Sequence, residues 1–124
     1  MEGAKYRGMI VGYGATSVEV PERSPFSLAD LMVLAYIIEH YRAGEWTRFD
    51  YARVCDELWY ARVGDRATLR GRLRLLRKYG LIETKTVGVK GECGVRTFTK
   101  VNMSMFSFPG GFHGTYRIDD MLQC

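Results

Sequence analysis

From Asp65 to Ile82 the chain reads DRATLRGRLRLLRKYGLI, and no other stretch restricts the fold as much. Leu69, Leu73 and Leu76 are spaced four and then three apart, which on an α-helix makes one face. Gly80 supplies a C-terminal stop, and the apolar pair Leu81 and Ile82 follows it. Around the leucines stand six basic side chains (Arg66, Arg70, Arg72, Arg74, Arg77 and Lys78) against the single acid Asp65. Such a helix docks its leucines on a core and turns its other faces outward. It is a helix made to meet a polyanion, or a cationic surface helix in an arginine-rich protein.

The charge of the whole chain bears on that choice. The formal net charge is +4 over 124 residues. Between Arg62 and Lys100, however, there are eleven Lys or Arg and three acids, a net of +8, while the remaining residues hold seven basic and eleven acidic groups, a net of −4. Segregation of this kind builds a one-sided field suited to nucleic acid. The length predicts one domain with one modest core. A hydrophobic fraction of 47% with 26% charged residues is ordinary for a globular chain. No apolar run has the length of a membrane span, and MEGAKYRGMIVGYG lacks a signal-peptide layout, so a cytoplasmic protein is expected. Asn and Gln occur once each, as Asn102 and Gln123, a scarcity that fits a thermophilic source.

Candidate chemistry is sparse. Cys55, Cys93 and Cys124 form no CxxC pair and no zinc pattern with His40 and His113. They read as reduced thiols, one of them buried in a helix, with an intracellular disulfide open for a hyperthermophile. No paired carboxylates or triad-like order stand out, so neither enzyme activity nor a cofactor or metal is expected. The glycines of VGYGATS read as a turn, because no GK[ST] follows them.

Along the chain, residues 1–26 form a β-leaning extension, with short strands at Tyr6–Tyr13 and Ser17–Val20 around a Gly12-Tyr13-Gly14 turn, closed by Pro21 and Pro25. Ser27 caps a helix, with Asp30 three residues on completing a capping box. That helix is apolar on most sides from Leu28 to Tyr41 and ends by Gly44. It forms the backbone of the core, with a second side suited to a dimer. His40 near its end reads as a surface or capping histidine. After a brief extended piece at Glu45–Phe49, Asp50 caps a second helix running to about Tyr60. Its apolar positions are Tyr51, Val54, Cys55, Leu58 and Trp59. Asp65 or Arg66 opens the third.

Beyond Ile82 the period changes from helical to alternating. Ile82–Val87 and Val95–Phe106 read as two strands of a hairpin whose loop holds three glycines, lined by Lys85, Lys90, Arg96 and Lys100. The tail from 107 to 124 is aromatic and glycine-rich, then acidic.

Helix, helix, basic helix and hairpin resemble the winged helix-turn-helix superfamily of DNA-binding proteins, in an α+β fold covering residues 27–106. Leu69, Leu73, Leu76, Gly80, Leu81 and Ile82 are similar to the L-x3-L-x2-L-x3-G-L-[IV] ending of the third helix in MarR-, ArsR- and PadR-type regulators. The resemblance implies that the 66–79 helix enters the major groove and that the 82–106 wing lies along the backbone or minor groove. The residues expected at double-stranded DNA are Arg66, Thr68, Arg70, Gly71, Arg74 and Lys78 on the helix, with Lys85, Lys90 and Arg96 on the wing. Arg66, Arg72 and Arg77, flanking that face, are expected on phosphates or paired with acids of the other helices. The implied function is a homodimeric transcriptional regulator. The alternative is an adapter binding a protein of a replication or transcription complex through Phe106, Phe108, Phe112 and Tyr116, unless these pack on the chain's own core.

Overall fold

The computed structural model describes residues 10–19, 24–42, 45–107 and 114–118. Expectations that rest on Tyr6–Met9, Val20, Pro21, Gly44, Phe108, Phe112, His113 and Cys124 lie outside those residues. The described chain is a mixed α+β fold with three α-helices and two sheets.

Helix α1 (Leu28–Glu39) starts where the capping chemistry places it. The Ser27 hydroxyl accepts from the Asp30 N–H, and the Asp30 carboxylate accepts from the Ser27 N–H at 2.8 Å. Every residue from Asp30 to Ile38 is buried. Helix α2 (Tyr51–Glu57) is capped by Asp50, and α3 (Arg66–Lys78) by Asp65. The α3 helix ends as its sequence predicts. Gly80 takes φ +77, its N–H bonds the Arg77 carbonyl, and the Leu81 N–H reaches the Leu76 carbonyl. This closure uses the left-handed conformation that glycine adopts without penalty. Leu69, Leu73, Leu76 and Leu81 are all buried, each side chain contributing roughly 1.5–3 kcal/mol of transfer free energy.

Strand β3 (Thr47–Arg48) precedes α2, while β4 (Ile82–Gly88) and β5 (Val95–Val101) follow α3 as an antiparallel hairpin; the sheet order is β3-β5-β4. The second predicted wing strand stops at Val101 rather than Phe106. There Asn102 ties the chain to the end of α3, its backbone N–H donating to Leu81 and its side-chain amide to the Gly80 carbonyl at 2.7 Å. A 3-10 turn (Met103–Met105) then carries the chain into another sheet.

That sheet joins the two ends of the described chain. The hairpin of β1 (Ile10–Tyr13) and β2 (Thr16–Glu19) lies beside β7 (Thr115–Ile118), parallel to β2, and β7 pairs with β6 (Phe106–Ser107). The turn between β1 and β2 falls at Gly14-Ala15, overlapping the expected Gly12-Tyr13-Gly14 turn at Gly14. Gly14 has φ +59, and a Cβ there would collide with the Glu39 carboxylate. α1 packs against β1 and β2 as well as against α3 and β5. The second side of α1, which its all-round apolarity suggested for a dimer, is thus covered by the chain's own sheet.

The second helix is shorter than predicted. After Glu57 the chain tightens into a 3-10 turn (Trp59–Ala61), which swings Trp59 out of the apolar face, leaving it 75% exposed beside Tyr60 at 54%. Phe106 and Tyr116, in contrast, are core residues. Among the described residues no helix is long and apolar enough to cross a membrane.

Candidate nucleic-acid interface

The arginines of α3 do not all do one thing, and their angular positions explain why. With about 100° per residue, Leu69, Leu73 and Leu76 define the buried sector. Arg66, Arg70, Arg74 and Arg77 fall together within about 80° immediately to one side of it. Arg72 lies on the other side. Ala67, Thr68, Gly71 and Lys78 occupy the sector furthest from the core, while Leu75 at its edge is partly buried against the core.

The arginine sector faces the hairpin. A cleft between α3 and β4–β5 is lined by Arg66, Arg70, Arg74, Arg77 and Lys85, with Thr84, Thr86 and Thr97 on its strand side. No described Asp or Glu lines it. Tyr51, the first residue of α2, contributes to the cleft wall. The Arg66 and Arg70 guanidiniums lie 5.1 and 5.8 Å from its ring centroid, and its hydroxyl accepts from Thr97 on β5. A cation held over an aromatic face keeps its N–H edges available to an anion. Tyr51 therefore ties three elements together beneath two charges. Arg77 reaches across to donate to the Thr84 hydroxyl at 3.2 Å.

Arg72 is withdrawn from the surface. Its guanidinium forms an ion pair with Asp30 of α1 at 2.9 Å and donates to the Val63 carbonyl at 2.7 Å and to Ser27. Of the two expectations for the flanking arginines, pairing with an acid on another helix describes Arg72.

The expected DNA-contact residues thus separate into groups. Arg66, Arg70, Arg74 and Lys85 are brought together around the cleft, although the Lys85 ammonium rests 4.4 Å from the Trp46 ring centroid. Gly71 is exposed on the outer sector, and a Cβ added there would meet nothing within 4 Å. Lys78 sits at the helix end over the Tyr79 ring, and Lys90 is exposed in the hairpin loop. Thr68 is engaged internally. Its N–H and hydroxyl both donate to the Asp65 carboxylate, at 2.9 and 3.0 Å, which holds that carboxyl below its ordinary range. Arg96 is also committed within its hairpin, donating to Glu92 and to the Cys93 and Val95 carbonyls. Arg48 on β3 grips the same Glu92 with both terminal nitrogens, at 2.8 and 3.1 Å. These bonds, Arg48 foremost, lower the Glu92 pKa.

Tyr51 lines the cleft although the sequence reading does not place it at DNA, whereas Arg77 is expected from sequence on phosphates or paired with an acid. For Arg77 a signal existed: Arg66, Arg70, Arg74 and Arg77 repeat at intervals of four, four and three, a stripe parallel to the leucines. For Tyr51 there was none, because its place depends on how α2 and β5 meet. The exposed Trp59–Tyr60 pair lies apart from the cleft lining. Among the described residues no group of His, Cys, Asp and Glu has the arrangement of a metal site, and Cys55 and Cys93 are unpaired thiols. No protein-family model, curated protein or solved structure matches this chain.

Proposed function

We propose that this protein binds double-stranded DNA in the manner of a winged helix-turn-helix, with α3 directed at the major groove and the β4–β5 hairpin as the wing. The observation that carries this reading is the cleft itself: four arginines of α3 converge on the hairpin, and no described acid lines the space between them. A row of fixed positive charges of this kind takes a phosphate backbone, releasing the counterions condensed on it. The element order supports the reading too. α1, β3, α2 and α3 are followed by a hairpin, and β3 pairs with β5 on the side away from β4, so the wing is anchored to the helical body.

Pairing of two copies and regulation of transcription belong to the same proposal, with α1 unavailable as the shared face. The adapter reading has less to stand on, since Phe106 and Tyr116 are buried in the chain's own core.

Fluorescence anisotropy on a labelled duplex tests the proposal. The Arg70→Ala/Arg74→Ala double variant is expected to weaken binding at least about tenfold, and wild-type affinity to fall steeply with salt. Wild-type affinity in that variant, with its fold intact by circular dichroism, rejects the assignment of α3.

A further inference from the structure

Resting on the reading of α3 and its hairpin as a DNA-binding unit, we infer that the cleft grips the sugar–phosphate backbone while α3 approaches the bases without reading them. This protein then binds duplex DNA with little dependence on base sequence. The argument lies in how α3 divides its surface. Its cations stand to one side, in the cleft formed with the hairpin: Arg66 and Arg70 rest over Tyr51, and Arg77 is held by Thr84. They form a wall beside the helix rather than a row along its outermost line.

The outermost sector is what a major groove would meet first, and it is smooth. Ala67 and Gly71 offer no hydrogen-bonding side chain, and Leu75 at the edge of this sector is partly buried against the core. Thr68, the residue there with a hydroxyl, has that group bonded to Asp65. Hydrogen-bonded base discrimination in the major groove draws chiefly on Asn or Gln for adenine, Asp or Glu for cytosine, and Arg or Lys for guanine. No described residue of α3 is Asn, Gln, Asp or Glu. Lys78 is at the last helical position, against Tyr79. Small residues at 67 and 71 permit a close backbone approach, which deepens the grip of the neighbouring arginines on phosphates. Such a surface favours B-form duplex over A-form RNA, whose major groove is too narrow for a helix.

Selection of bound duplexes from a random-sequence DNA pool by the full-length protein, followed by salt titration of individual duplexes, tests the inference. The expected result is strong retention without a consensus. Affinities for A·T-rich and G·C-rich duplexes should agree within about threefold, and the slope of log K against log salt should be about −4 for four arginine–phosphate contacts. Arg66→Ala/Arg77→Ala should reduce that slope by about two for every duplex alike. Tyr51→Leu, folded by circular dichroism, should lose several-fold on all sequences. A consensus enriched more than tenfold overturns the inference while leaving DNA binding in place. So does an arginine variant that loses affinity for one sequence alone. Failure to retain any duplex at low salt, or tighter binding of duplex RNA, overturns the DNA-binding reading and the inference with it.

Discussion

Arg72 and Arg70 are the same residue type on the same helix two positions apart, and they belong to different parts of the molecule. Two residues on a helix turn through about 200°, so one arginine meets the hairpin cleft and the other meets α1. The Arg72 side chain is 19% exposed and its Asp30 partner 7%, enough burial that removing one charge leaves the other badly solvated. Arg72→Leu is expected to cost on the order of 3 kcal/mol in urea unfolding, while a folded Arg74→Ala stays near wild type because Arg74 is an exposed residue. Equal destabilisation by the two substitutions would remove this distinction. The sequence carried half of it. The leucine stripe gave Arg72 a position flanking the core, but its partner depends on the packing of α3 on α1.

The elements are joined at their polar edges by two carboxylates. Glu57 on α2 accepts from Tyr36 of α1 at 2.6 Å, from Tyr13 of β1 at 3.4 Å and from Arg53 at 3.0 Å. The Tyr36 bond, with that from Arg53, holds the Glu57 pKa below the ordinary carboxylate value, while burial above all raises that of Tyr36. A depressed folded-state pKa contributes stability that is present above the unfolded value of about 4.3 and disappears as pH falls through the lower folded value. The urea midpoint should therefore decline below about pH 4.3, and Glu57→Gln should flatten part of that decline. An identical acid profile in the variant removes Glu57 from the account. Glu92 works the same way on the other sheet, binding β3 to the hairpin loop through Arg48. Because the pair is surface-exposed, Glu92→Gln should leave global stability nearly unchanged. It should nonetheless raise amide exchange in residues 88–94, which unchanged exchange would disprove. The helix starts and the α3 stop were legible, because caps are local. Both carboxylate contacts join segments far apart in sequence, and no periodicity reports them.

At the scale of the molecule, the two ends of the described chain form one sheet. β7 lies between β2 and β6, and its Tyr116 and Ile118 are buried. A chain truncated after Ser107 should therefore lose cooperative unfolding and bind a hydrophobic dye, even with all three helices and the hairpin retained. Sharp two-state unfolding of that truncation would show β7 to be dispensable. The sequence by itself determined the local grammar: the capped helices, the glycine that ends α3, the change of period after Ile82 and the concentration of positive charge between Arg62 and Lys100. These are set by backbone hydrogen bonding and side-chain spacing over a few residues, so they are written in short windows. Tertiary structure alone decided which side of α3 became a cleft, that Arg66 and Arg70 lie over Tyr51, and that the apolar helix α1 is covered by β1 and β2. Those outcomes turn on which distant surfaces bury one another, a choice made by the whole chain as it excludes water.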